Sequence, residues 1–229
     1  MDEERKASDS EEGATAKGVE STLIAANPDP NKPIPYGGLG SVRIVSQFPI
    51  IESREDSILF PVSSEGRLDG GLALTWSNFP QSKNQVREYE KACKSGKLKP
   101  GVCLDVGHEQ HWNKLLLEKH KHAIVHIFLG ATRAGGLNLG SKIEWVQSIL
   151  SGYSQQMNFF LGSKYIAVPM LGVGQGGLNA DDVFLAILNE FQHKRYHVSV
   201  YWNKPKESSL ALRDTYVENG QLKAEKDVR

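Results

Sequence analysis

Four glycines crowd into six residues of the run Pro169-Met170-Leu171-Gly172-Val173-Gly174-Gln175-Gly176-Gly177-Leu178-Asn179. The run stands between an apolar strand pattern and a helix pattern that Asn179 opens, with Asp181 and Asp182 in its first turn. With no side chains in the way, successive backbone N–H groups there converge on an anion, and the positive end of the helix favours the same charge. A phosphate or diphosphate is the natural ligand of such a loop. Gly172, Gly174 and Gly177 also satisfy the spacing of a dinucleotide-binding loop, a reading that needs an acid about 20 residues on, at the end of the next strand. The next strand instead ends in Tyr201-Trp202-Asn203, which disfavours it. A second cluster, Ser64-Glu65-Gly66-Arg67-Leu68-Asp69-Gly70-Gly71-Leu72, also follows an apolar strand and leads into a short helix. Neither loop ends in the Gly-Lys-Ser/Thr of a P-loop, so the two read as opposing walls of one diphosphate cleft.

Other reactive side chains are less informative. Asp69 has two readings: a carboxylate that binds a hydroxyl or activates water, or a turn former before two glycines. Glu65 and Arg67 flank the same loop as surface charges. His108, His111, His120 and His122 match no zinc spacing, and Lys114, Lys119 and Lys121 would repel a cation. They read as a solvated surface run, and no metal is called for. His126, inside an apolar strand, reads as a hydrogen-bonded core histidine. Cys93 and Cys103, the only cysteines, read as reduced packing residues, and their number excludes a disulfide framework and a four-cysteine zinc site.

The elements that must position these loops alternate. Strand patterns fall at 42–45, 57–62, 102–106, 123–129, 165–168 and 197–202, several of them apolar at nearly every residue, as strands covered on both faces are. A weak helix is expected over 86–93. A stronger one begins at a Ser141–Glu144 capping box and carries Ile143, Val146, Leu150, Tyr153 and Met157 along one face. In the last helix Phe184, Ile187, Leu188 and Phe191 line the inner side. Strands alternating with helices predict a three-layer α/β/α sandwich around a mostly parallel mixed sheet. The 229 residues allow one full-sized domain with tails: a disordered N-terminal arm over 1–40, a domain over 41–203, and a charged tail over 204–229 in which Leu210 and Leu212 mark a short docked helix. Charge excludes little: 27 basic side chains balance 27 acidic ones, so a nucleic-acid partner is not indicated. No run has the length of a membrane span and no targeting segment is visible, which places the chain in the cytoplasm or nucleus and away from membranes.

From about Val42 to Trp202 the chain resembles the macrodomain family, and within it the branch of the terminal ADP-ribose glycohydrolase and the antitoxins that remove ADP-ribose from DNA. The resemblance rests on Asp56-Ser57-Ile58-Leu59, on Gly71-Leu72-Ala73-Leu74 ending in Phe79-Pro80, and on the run from Lys91 to Gly101. Lys142-Ile143-Glu144-Trp145-Val146 and the run from Val168 to Leu178 complete it. It implies that the chain binds ADP-ribose or an ADP-ribosylated macromolecule, without a cofactor. Gly70, Gly71 and Leu72 would border the distal ribose, while Gly172, Val173, Gly174, Gln175, Gly176 and Gly177 would give backbone N–H groups to the phosphates. Ile50 would meet adenine through its backbone, and Trp202, ending the last strand, would either stack on the base or plug the sheet edge. The chain departs from the family's pattern where it matters for catalysis. Pro49 replaces the adenine-binding acid or Asn, Phe60 and Ser63 replace two asparagines, and Gly176 stands where some members have an aspartate. No lysine occurs from Gly70 to Pro80, and the next, Lys83, lies beyond the helix the branch uses. The expectation is a binding module with weak or no turnover. The alternative is a hydrolase using Asp69, Ser63 or a ligand-held water on ADP-ribosylated protein or nucleic acid, or a phosphatase acting on ADP-ribose 1″-phosphate.

Overall fold

A computed structural model describes residues 34–36, 40–46, 49–111, 124–134, 140–159, 164–191, 194–202, 215–218 and 221–224. Strands β1 (Ile34–Tyr36), β2 (Gly40–Val45), β3 (Ser57–Ser63), β4 (Cys103–Gln110), β5 (Ile124–Arg133), β6 (Tyr165–Pro169) and β7 (His197–Tyr201) form one sheet in the order β1-β2-β7-β6-β3-β5-β4. The five inner strands run parallel, and β1 and β4 close the two edges antiparallel. Helices α1 (Gly71–Ser77), α2 (Lys83–Lys94), α3 (Ile143–Met157) and α4 (Ala180–Phe191) complete the three-layer sandwich predicted from the alternation.

Alternation along the strands assigns the two cores. Leu59, Phe128, Ile166, Val168, Val198 and Val200 face the side that α3 and α4 cover with Val146, Leu150, Tyr153, Phe184 and Phe191. Their chain neighbours Ile58, Phe60, Ile127, Leu129, Ala167 and Tyr201 face α1 and α2, where Trp76 and Tyr89 are fully buried. At roughly 1.5–3 kcal/mol for each large apolar side chain taken from water, either layer outweighs any single loop contact.

Two features of this topology open the cleft. Strands β3 and β6 are neighbours, yet the helix after β3 packs on one face and the helix after β6 on the other. A crevice must form where their connections part. Moreover, β3 pairs with β6 only at Ser57 and Ile58, while it pairs with β5 along its whole length. Pro61, with no N–H to donate, stands three residues further along β3.

Several expectations change. Residues 34–36 lie within the arm read as disordered, yet they pair with β2, Ile34 opposite Val42, because an edge strand needs only backbone hydrogen bonds and little apolar mass. The charged tail, for which no strand was expected, carries an antiparallel pair, β8 (Thr215–Glu218) and β9 (Gln221–Ala224); Asn219-Gly220 between them in sequence is a hairpin signal that the charge of the segment obscured. The helix expected around Leu210 and Leu212 lies outside the described residues, as do His120, His122 and the lysines 114, 119 and 121. The capping box is not made: the N-cap residue of α3 is Lys142, with no side-chain cap. His111 is buried rather than solvated, 1% exposed, and its imidazole is held below its usual pKa by burial. His126 does sit in the structure as a bonded histidine, its Nε2 2.7 Å from Asp105 Oδ1 and its ring stacked on Phe128.

Candidate functional site

The first loop, residues 64–70, leaves β3 for α1 and is held from beneath. Ser63 is 4% exposed and its hydroxyl accepts the Glu65 N–H at 3.2 Å, which turns the chain out of the strand. Tyr89 on α2 donates its hydroxyl to the Ser63 carbonyl at 2.7 Å, with the Arg67 carbonyl at 3.3 Å. Burial pushes the Tyr89 phenol far above its ordinary pKa, so it remains a donor. The Cys93 thiol beside it is also raised by burial. Glu65 and Arg67 face each other at 3.6 Å on the surface, a weak pair. Asp69 is exposed and forms no hydrogen bond or ion pair among the described residues. Gly71 takes a left-handed φ of 58°, which lets the chain enter α1 directly after Gly70.

The second loop, residues 170–179, is shaped by its own carbonyls. The Gly172 carbonyl accepts Leu178 N–H at 3.0 Å, the Gly174 carbonyl accepts Gly177 N–H at 3.2 Å, and the Gly176 carbonyl accepts Ser141 N–H at 2.9 Å. The Asn179 Oδ1 then caps α4 through Asp181 N–H at 2.8 Å, as its sequence position predicted. Ser141, read from sequence as a helix cap, wedges into this loop instead. A Cβ at Gly172 would lie 2.9 Å from the Ser141 side chain and from Leu178, and one at Gly176 would collide with Ser141 and the Gly172 carbonyl. Those two glycines serve the loop's own packing. Gly174 does not: its φ is unexceptional and an added Cβ would meet nothing within 4 Å. Among the described residues the N–H groups of Gly174, Gln175 and Gly176 donate to no acceptor, and Gly174 and Gln175 are exposed.

The loops meet across the crevice, where a Cβ on Gly70 would lie 2.7 Å from Gln175 Nε2. The topology thus brings Gly70, Gly71 and Leu72 to one wall and Gly172 through Gly177 to the other, with Val173 packed partly onto the core below. One expected contact is placed differently, and the other keeps only its backbone part. Trp202 is 6% exposed and its ring lies 5.7 Å from Phe184 in the α4 core, so it plugs the sheet and offers a base almost no face. Ile50 is 2% exposed, its side chain in the α1/α2 core, which leaves only backbone for a ligand. Ser63 supports the turn of the first loop, its hydroxyl accepting one N–H there. Sequence reasoning missed Tyr89 and the wedge of Ser141. Tyr89 was hidden in an ordinary apolar helix face, and Ser141 carried a capping signal that the tertiary structure overrides.

The fold is similar to that of solved macrodomains. The macrodomain of Mycobacterium tuberculosis DarG is 23% identical with a TM-score of 0.59, covering 71% of this chain and 97% of that one. That of Thermus aquaticus DarG is 23% identical with a TM-score of 0.54, covering 71% and 99%. Thermosipho africanus DarTG, solved in complex with ADP-ribose, is 21% identical with a TM-score of 0.59; 75% of this chain spans 43% of that protein. No protein-family model matches the sequence, and no curated protein matches it. The chain has the macrodomain fold. No helix among the described residues is long and apolar enough to cross a membrane.

Proposed function

We propose that the chain binds ADP-ribose, free or attached to a macromolecule, between its two glycine loops, and that it holds this ligand with slow turnover or none, as a member of the branch that includes the DNA ADP-ribosylation antitoxins. The observation that carries the reading is Gly174: a glycine with no conformational or packing reason, the first of three successive residues with uncommitted N–H groups beyond the carboxyl end of β6. Close approach of a phosphate supplies that reason. A diphosphate would lie along Gly174 to Gly176 and the distal ribose would face Gly70 to Leu72. Slow turnover follows from side chains: no lysine stands in α1, and Gly176 has no carboxylate.

One observation favours the hydrolase alternative. Asp69 is exposed and uncommitted on the loop that would face the distal ribose, where a carboxylate can take a proton from water. Calorimetry with ADP-ribose separates the cases, followed by incubation with ADP-ribosylated glutamate peptide, ADP-ribosylated thymidine and ADP-ribose 1″-phosphate. Binding on the order of micromolar is expected, abolished by Gly174→Glu, which puts a carboxylate where phosphate belongs in a position with room for it. Unchanged affinity in a folded Gly174→Glu protein would remove the cleft assignment. Release that Asp69→Asn slows roughly 100-fold or more, with binding intact, would establish the hydrolase.

A further inference from the structure

We propose that the Gln175 carboxamide is a ligand-contacting latch: in the free protein it lies across the cleft against the Gly70 backbone, and on binding it exchanges that contact for oxygens of a diphosphate-linked ribose. The proposal rests on the ADP-ribose reading and assigns a side-chain role within the same site. Gly70 has an extended backbone, φ −170° and ψ 165°, which any residue adopts. Its lack of a side chain is therefore not conformational. What it permits is the approach of Gln175, since a Cβ there would stand 2.7 Å from Nε2, 3.4 Å from Cδ and 3.5 Å from Oε1.

Gln175 is exposed and its amide makes no hydrogen bond among the described residues. It touches the opposite wall without being bonded to it, so the side chain leaves at little enthalpic cost. An amide carries two donors and an acceptor without charge. That chemistry suits a sugar hydroxyl beside a phosphate, where an apolar side chain would offer nothing and a carboxylate would repel. The uncommitted N–H groups of Gly174, Gln175 and Gly176 bring the phosphate to the root of the same side chain. A ligand entering between the loops must displace the amide, and a bound one lies beneath it.

Stopped-flow binding of ADP-ribose to the full chain tests this with Gln175→Ala, Gln175→Glu, Gly70→Ala and the Gly70→Ala/Gln175→Ala double variant. Gln175→Ala is expected to speed dissociation roughly tenfold, the effect of losing one or two ligand hydrogen bonds, with association unchanged or up to about threefold faster. Gln175→Glu, equal in size, is expected to weaken binding at least as much. Gly70→Ala is expected to change dissociation at least about threefold in wild type and not at all beside Gln175→Ala, because its effect acts through the displaced amide. Wild-type binding with both Gln175 variants within about twofold in both rates overturns the latch and leaves the ADP-ribose reading standing, as does an equal Gly70→Ala effect in both backgrounds. Absence of wild-type binding overturns both. Melting temperatures within a few degrees of wild type are expected for the Gln175 variants, since the residue is exposed.

Discussion

Glu109 tests the packing logic at the end of the sheet opposite the cleft. It lies on β4 opposite Val125, near the start of β5, and is 5% exposed. Ser82 Oγ donates to one carboxylate oxygen at 3.1 Å, while the other oxygen is buried without a hydrogen bond. Burial raises its pKa from 4.5 to about 7, more than the Ser82 hydroxyl and the neighbouring Trp76 indole lower it. The folded chain therefore binds a proton that the unfolded chain releases between about pH 4.5 and 7. The stability this proton brings is complete below 4.5 and is lost as pH rises through about 7. At 1.36 kcal/mol for each tenfold change in proton affinity, the loss is at most about 3 kcal/mol. Glu109→Gln keeps the neutral shape at every pH. The variant is expected to melt near wild type at pH 4.5 and above it at pH 8, by at most about 6–12 °C for a chain of this length. Thermal melts of both proteins at several pH values read the difference, and ADP-ribose affinity should not change. A difference in melting temperature that is the same at pH 4.5 and pH 8 refutes the argument, since only a titrating group can make it pH-dependent.

Other outcomes follow from single contacts. Gly176→Ala should lower the melting temperature by several degrees and weaken ADP-ribose binding, because its Cβ meets Ser141 and the Gly172 carbonyl, whereas Gly174→Glu should fold normally; calorimetry of both separates loop packing from ligand contact. Tyr89→Phe strips the hydroxyl from two loop carbonyls, with an expected cost of roughly 1–3 kcal/mol in denaturant melts and a looser first loop; unchanged ADP-ribose affinity would show that the tether does not shape the site. Deleting residues 1–33 should leave the melting temperature unchanged, while deleting 1–39 removes β1 and bares the β2 edge, lowering it by a few degrees and promoting association at high concentration.

The parts of this protein legible in its sequence are those with local causes. Apolar runs with turn residues at their ends locate β2 through β7, the 3.6-residue period locates α3 and α4, and Asn179 caps its helix because a side chain two residues away can do so unaided. Both glycine loops stand out for the same reason: each is a local exception to strand and helix patterning. What surrounds those loops was decided by the tertiary structure. Ser141 carries a capping signal, yet its side chain is taken by the second loop, a partner 31 or more residues away in sequence. Trp202 reads equally as a base-stacking ring or a plug, and only the position of Phe184 on α4 decides for the plug. Strand β1 is only three residues long with Pro35 at its centre, too short a run to show a period, and it becomes a strand only by pairing with the edge of β2. The approach of Gln175 to Gly70 is invisible in either loop alone; it exists because β3 and β6 become neighbours whose connections leave on opposite faces, and no local pattern encodes that adjacency.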